Sequence, residues 1–358
     1  MDISTTRTSS PTSDERLAEI LANPGFGTHF TDHMFTVEWT PAGWSGARIT
    51  PYGPLTLDPA TAVLHYAQEI FEGMKAYRHE DGSVWTFRPE ANAERMVRSS
   101  HRLALPELPP ADFVRAVDAL VEADQRWVPD AAGEKSLYIR PFMIATEKFL
   151  GVRPSQHVTF MVIASPAGAY FSKGVKPISL WLSTEYTRAG RGGMGAAKTG
   201  GNYASSLVAQ QEATAQGCDQ VVFLDAQEGQ YVEELGGMNM YFVYADGHIV
   251  TPEVGTILEG ITRSSIIELA GKLGHQVEER RFSVDEWRDG VASGDIVEVF
   301  ACGTAAVVTP VGQLRWDGGE VGAADGDAGP LTMQIRHALV DIQYGRADDT
   351  FGWMHRVC

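Results

Sequence analysis

Apolar residues recur along this chain at two spacings, and the two spacings mark out strands and helices. Residues 34–39 and 82–87 read as strands, the second after a His79-Glu80-Asp81-Gly82 turn that predicts a hairpin. Two amphipathic helices follow. Ala93, Met96, Val97 and Leu103 recur near helical spacing, and Phe113, Val114, Val117, Leu120 and Val121 share one face. Strands near 136–146 and 157–165 close the first half. The second half offers a strand at 178–183, a helix over about 204–216, and strands at 221–225 and 239–244. A helix near 263–273 carries Ile266, Ile267, Ala270 and Leu273 on one side, and Ser283 with Glu286 forms a candidate capping box. The last helix runs over about 330–343.

Between the halves lies a Pro/Gly-rich passage, 166–177, whose composition suits an interdomain connection. With 358 residues the chain has length for about two domains. Residues 15–170 are assigned to a small N-terminal α/β domain, 171–180 to the connection and 181–358 to a larger C-terminal domain. The first fourteen residues are rich in Ser, Thr and Asp, lack a signal peptide's apolar run, and read as a disordered leader. The order of elements is not a strict βαβ alternation. The expected class is therefore mixed α/β (α+β) in two domains, not a simple doubly wound sheet.

Composition narrows the partners. Hydrophobic residues make up 44% of the chain, which fits packed domains. The net charge of −17, from 29 basic and 46 acidic residues, argues against nucleic acid or an anionic membrane surface. No apolar stretch reaches the ~18 residues of a membrane span; residues 158–165 look like a buried strand. Cys218, Cys302 and Cys358 are widely spaced, with no metal-ligand spacing, so a reduced cytoplasmic setting is expected and no metal site.

Candidate chemistry centres on Gly195-Ala-Ala-Lys198-Thr-Gly-Gly-Asn-Tyr203. Lysine is scarce, occurring only at 75, 135, 148, 173, 176, 198 and 272, and Lys198 sits in an uncharged, glycine-lined turn. Removing water from an ammonium lowers its pKa, and a neutral amine can attack a carbonyl. The same stretch admits other readings. Gly190, Gly192 and Gly195 satisfy G-x-G-x-x-G, and residues 192–199 fall one residue short of a P-loop, with Ala197 in place of its second glycine. A dinucleotide fingerprint should sit directly between a strand and the helix it opens, whereas the helix here is expected only near Ala204. A solvated lysine in a flexible loop is the plainest alternative.

Lys198-Thr-Gly-Gly-Asn-Tyr203 resembles the cofactor-lysine segment of the branched-chain amino-acid aminotransferases, pyridoxal-phosphate enzymes of fold type IV. Glu234-Leu-Gly-Gly-Met-Asn239 resembles the family's segment bearing the acid that faces the cofactor ring nitrogen, and Gly303-Thr-Ala305 its phosphate and carboxylate turn. Phe30-Thr-Asp-His-Met34, Leu64-His-Tyr66, Phe71-Glu-Gly-Met-Lys75, Leu137-Tyr-Ile-Arg140, Gly168-Ala-Tyr170-Phe171 and Gln343-Tyr-Gly345 match in the family's order. The resemblance assigns covalent attachment and catalysis to Lys198, the ring-nitrogen contact to Glu234 and a phenolic-oxygen contact to Tyr203. The phosphate falls to Arg95, Thr304 and the backbone of Ile261 and Thr262. An arginine's planar fork and a helix N-terminus both suit phosphate oxygens. Glu233 is a confounder that the Leu-Gly-Gly-Met-Asn register sets aside. The substrate pocket is implied at Phe30, Tyr66, Phe71, Tyr138, Tyr170, Gly237, Thr304 and Ala305, with Arg140 meeting the glutamate carboxylate. Strand alternation puts Tyr138 and Arg140 on one face. Two positions depart from the pattern: Gly237 replaces a threonine of some members, and Ala306 and Thr309 stand where some animal members carry a CxxC pair.

The resemblance implies a ping-pong exchange of amino groups between leucine, isoleucine or valine and 2-oxoglutarate, in a homodimer. Rival readings are a D-amino-acid transaminase or an aminodeoxychorismate lyase of the same fold, and, from another class, a nucleotide-binding regulator using the 190–199 loop.

Overall fold

Strand-forming segments assemble two separate sheets. The computed structural model describes residues 1–168, 175–322 and 326–358. Its contacts divide the chain into Met1–Ala169 with Ala197–Gly200 and Ile342–Cys358, and a second unit of Tyr170–Ala196 with Gly201–Asp341. No single cut therefore separates them. The Lys198 segment and the C-terminal tail both cluster with the first unit, because each makes its local contacts there.

The first unit contains β1 (Ser4–Thr5), α1 (Asp14–Ala22), β2 (His33–Thr40), β3 (Gly43–Pro51), α2 (Val63–Tyr66), β4 (Glu69–Phe71), β5 (Met74–Arg78), β6 (Val84–Phe87), α3 (Pro89–Arg102), α4 (Pro110–Ala123), β7 (Ser136–Ala145) and β8 (Val158–Ala167). They form a sheet of order β1-β3-β2-β8-β7-β5-β6, extended by the last strand, Met354–Arg356, with β4 pairing on β7. The expected hairpin is β5–β6, with Tyr77 opposite Trp85 and Gly82 at φ 85° in the turn. The apolar stripe of α4 lies on the sheet: Phe113 meets Phe160 at 5.9 Å, and Phe160 meets Phe35 at 6.1 Å. Each fully buried side chain of this kind stabilises by about 1.5–3 kcal/mol.

The first fourteen residues are not the disordered leader that their composition predicts. Ser4–Thr5 pairs in parallel with β3, the Met1 ammonium meets Asp112 at 2.8 Å, and the Thr8 N–H donates to His33 Nε2 at 3.0 Å. The exposed edge of β3 offers backbone partners that a reading of side chains alone does not register.

The second unit contains β9 (Ile178–Ser183), α5 (Gly200–Ala204), α6 (Leu207–Ala215), β10 (Gln220–Leu224), β11 (Val232–Leu235), β12 (Asn239–Tyr244), β13 (Ile249–Pro252), α7 (Ile261–Lys272), β14 (Val277–Arg280), α8 (Val284–Ser293), β15 (Ile296–Gly303), β16 (Val307–Trp316), β17 (Gly319–Gly322) and most of α9 (Pro330–Gln343). Its sheet runs β11-β10-β9-β16-β15-β12-β13-β14, with β17 on β16. Parallel pairs (β9–β10, β9–β16, β13–β14) sit among antiparallel ones, so the sheet is mixed. Phe242 stacks on Phe282 at 3.8 Å and meets Trp287 edge-on at 5.0 Å in its core.

Three local expectations change. The helix expected over 204–216 is two helices, α5 and α6, starting at Gly200, and α6 exposes Leu207 and Val208. β9 begins at Ile178, directly after the Pro/Gly-rich 166–177 passage and inside the 171–180 assigned to the connection. The capping box is half formed: Ser283 Oγ accepts from the Glu286 N–H, but the Glu286 carboxylate turns to Arg280 and Tyr244. A charge-assisted pair outcompetes one more cap bond. Among the described residues no helix is long and apolar enough to cross a membrane, and no His, Cys, Asp and Glu cluster suits a metal ion.

Candidate active site

In the first unit, Lys198 is held by its backbone. Its N–H donates to Ser99 Oγ at 3.0 Å, and its carbonyl accepts from the Phe71 N–H at 2.9 Å. Thr199 Oγ1 donates to the Glu69 carbonyl at 2.8 Å, and the Gly200 N–H donates to the Glu69 carboxylate. Burial raises the Glu69 pKa, an effect those bonds and Arg140 oppose. These bonds fix the main chain of this segment on β4 and α3. The Lys198 ammonium lies 4.8 Å from the Phe71 ring centroid.

Helix α3 carries a second group on the same face. Arg95 stands one turn before Ser99 and is 4% exposed. Its Nε and Nη2 donate to the two Glu72 oxygens at 2.8 and 2.7 Å, while Asn92 Nδ2 adds a bond to Glu72 at 2.8 Å. Glu72 is fully buried, so this fork fixes the guanidinium plane. Removing one partner of such a pair costs about 3–5 kcal/mol. Glu72→Ala should therefore lower the unfolding free energy by roughly that amount, read as a lower urea midpoint; an unchanged midpoint would show that the pair contributes nothing.

Tyr138 and Arg140 project from one face of β7. Arg140 Nη2 donates to the Tyr138 hydroxyl at 3.0 Å, and its guanidinium carbon lies 4.8 Å from the Phe71 centroid and 5.4 Å from that of Tyr138. Arg140 Nε is buried with no partner among the described residues. Phe26, absent from the sequence reading, packs edge-on against Tyr138 at 5.0 Å, and Phe30 stacks on Tyr52 at 5.0 Å. Gly73 lies so close to the Tyr138 hydroxyl that no Cβ fits. Tyr66 is 39% exposed; its hydroxyl donates to the Leu150 carbonyl and its ring neighbours His65. Tyr170 lies outside the described residues.

In the second unit, Glu234 is 2% exposed on β11, and its Oε1 accepts from Arg188 Nη1. The Arg188 guanidinium also lies 5.6 Å from the centroid of the Tyr203 ring on α5. A Cβ on Gly237 would make ordinary contact with that ring, at 3.5 Å. Glu233 has different surroundings. It accepts from Thr256 Oγ1 and lines a cavity of about 380 Å³ with Arg191 and Arg281, and burial raises its pKa.

Ile261 and Thr262 open α7, whose N-cap Gly260 provides no side-chain bond. This helix end therefore presents backbone donors and a positive dipole end. A Cβ on Gly260 would strike Asn239 Oδ1, so only glycine allows the close approach. Thr304 and Ala305 form the turn between β15 and β16, which ends at Val307 with φ 62°. A β-branched residue there is strained by about 1–3 kcal/mol, as functional turns often are.

The glycine-rich loop is not an open phosphate cradle. Gly195 is packed where a Cβ would collide with the Thr256 carbonyl and Ala189, and the Gly193 N–H closes back on the Gly190 carbonyl at 2.8 Å. Gly193 and Gly195 serve close packing, and Gly192, at φ 77°, serves the turn.

Comparison with known proteins supplies the class. The family model for class IV amino-transferases matches residues 69–314, more than half of the chain. A probable branched-chain-amino-acid aminotransferase of Streptomyces coelicolor is 60% identical, with 96% of each chain covered. The branched-chain-amino-acid aminotransferase of Mycolicibacterium smegmatis is 54% identical, over 100% of this chain and 98% of its own. Among solved structures, the branched-chain amino acid aminotransferase of Thermobaculum terrenum in its PLP form aligns at TM-score 0.70 and 26% identity, covering 90% of this chain and 98% of that one. The chain belongs to the branched-chain amino-acid aminotransferases, enzymes of fold type IV that use pyridoxal phosphate.

Proposed function

We propose that the chain exchanges amino groups between L-leucine, L-isoleucine or L-valine and 2-oxoglutarate by a ping-pong mechanism, with Lys198 as its catalytic group. The observation that carries this reading is the double anchoring of the Lys198 backbone by Ser99 and Phe71. Those two bonds fix the main chain from which the side-chain amine projects.

The donor set fits pyridoxal phosphate: a capless α7 N-terminus with Thr262, the Thr304 turn and the Arg95 guanidinium suit a phosphate, and a buried carboxylate suits a protonated ring nitrogen. When bound, the cofactor draws electrons from the substrate Cα and makes its proton removable. In this reading Glu234 keeps the ring nitrogen protonated, and Tyr203 hydrogen-bonds the phenolic oxygen. Lys198 would hold the cofactor through its amine, and that amine, displaced by the amino group of the substrate, would be the base that takes the proton from Cα. Phe30, Tyr66, Phe71, Tyr138, Tyr170 and Gly237, with Thr304 and Ala305, form the substrate pocket in the proposed assignment.

Arg140 resolves the double demand on that pocket. Aromatic rings on either side accept an apolar side chain, and the one guanidinium, with its unpartnered Nε, accepts a γ-carboxylate. Arg140→Gln should raise the KM for 2-oxoglutarate about 10- to 100-fold, from the ~1.5–3 kcal/mol of a charged hydrogen bond, and spare leucine. An equal rise for both substrates would remove Arg140 from this role.

We also place the protein in the cytoplasm as a homodimer. Leu150 (65% exposed), Val152 (87%) and Leu207 (65%) are apolar surface that a partner chain would cover. The overall reading is tested by purifying the protein: it should absorb visible light through its cofactor, retain it on Lys198 after borohydride reduction, and convert L-leucine but not D-amino acids. A colourless protein that binds ATP would favour the nucleotide-binding alternative instead.

A further inference from the structure

The strongest unassigned feature is a buried arginine at the head of the glycine-rich loop. Arg188 is 6% exposed, and its Nη1 donates to Oε1 of Glu234. The side chains of both partners are within 3% of complete burial. Arg188 Nε has no hydrogen-bond partner among the described residues. Its guanidinium lies 5.6 Å from the Tyr203 centroid, within cation–π range.

We infer that Arg188 is a positioning residue for the cofactor, acting through Glu234 and Tyr203. The inference rests on the proposed role of Glu234. A carboxylate removed from water tends to neutralise itself by taking up a proton, unless a charge pairs with it. A neutral Glu234 would donate a hydrogen bond to a ring nitrogen and could not stabilise the proton there. The guanidinium stays charged across the working pH range and so holds Glu234 ionised. Its planar fork reaches the carboxylate through Nη1, and that bond directs Oε1 as well as charging the group. Through its face, the same guanidinium restrains Tyr203, assigned to the phenolic oxygen. One side chain thus ties together the groups at two edges of the cofactor ring. Glu233, the adjacent acid, feels the charge of Arg188 but bonds to Thr256, and among the described residues no ion pair joins it to the guanidinium.

The test compares the purified holoenzyme with Arg188→Met, Arg188→Lys, Glu234→Gln and the Arg188→Met/Glu234→Gln double variant. Two readouts beyond turnover are used: the pH midpoint of the bound cofactor's visible absorbance, and the dissociation constant of pyridoxal phosphate from the resolved apoenzyme. Arg188→Met should displace the absorbance midpoint in the direction that Glu234→Gln does and weaken cofactor binding at least ~10-fold. Adding it to Glu234→Gln should change little, because the two act as one unit. Arg188→Lys, which keeps the charge and loses the fork, should fall between wild type and Arg188→Met. A wild-type midpoint and dissociation constant in Arg188→Met, beside a displaced Glu234→Gln, would overturn the inference and leave the role of Glu234 standing. No displacement in Glu234→Gln would overturn that role itself. If Arg188→Met does not fold, Arg188→Lys decides: wild-type values in both readouts refute the positioning role, and intermediate ones support it.

Discussion

Lys198→Ala should abolish transamination while leaving the fold and the non-covalent cofactor contacts in place. The expected fall in kcat exceeds ~10³-fold, since a positioned general base alone is worth about 10²–10⁴ and the attacking amine is lost as well. The substitution is unusually clean here. The Lys198 backbone N–H and carbonyl bond to Ser99 and Phe71, and an alanine keeps both bonds. Thr199 and Gly200 still bond to Glu69. The melting temperature of the apoenzyme should therefore stay close to wild type, which separates lost chemistry from lost structure. Small primary amines added to the solution should restore part of the rate, because a free base can enter the space left by the side chain. Full activity on leucine in Lys198→Ala would refute the mechanism.

Periodicity was a good guide to where elements lie and a poor one to how they are held. The β9, β12 and α9 bounds coincide with their apolar runs, because a strand or helix with one buried face writes its period into the sequence. The break between α5 and α6 left no such mark: Leu207 and Val208 open α6 yet are exposed, so their apolar character marks no buried face. Polar composition at the N-terminus concealed the backbone pairing of Ser4–Thr5 with β3. Candidate site residues with local motifs, such as Lys198 and Glu234, were visible at once. The groups that position them were not. Ser99, Glu69 and Arg188 lie in no motif and reach their partners across long stretches of chain, and Glu72 lies in a motif that gave it no role. A single sequence contains no pattern that couples such pairs; only the fold brings them together.

Glu234→Gln is the second change expected to have a large effect, and it has two separable consequences. The amide is nearly the same size but carries no charge, so it cannot hold a proton on the ring nitrogen. The loss of a preorganised charge of this kind costs about 10²–10³-fold in kcat. Since the substrate does not touch this residue in the proposed assignment, KM should change little. The other consequence concerns stability. Arg188 would remain buried beside a neutral partner, and an unpaired buried charge destabilises by about 3–5 kcal/mol. That loss should show in the urea midpoint of the apoenzyme, where no cofactor can disguise it. Glu233→Gln is the matched control. Glu233 bonds to Thr256, burial raises the pKa of its carboxyl, and its replacement should leave kcat within a few-fold of wild type. If Glu233→Gln lost the activity and Glu234→Gln kept it, the cofactor acid would be Glu233, and the role argued for Arg188 would go with that exchange. A loss confined to Glu234→Gln, with both kcat and the apoenzyme midpoint lowered, would tie the chemistry and the buried ion pair to one carboxylate.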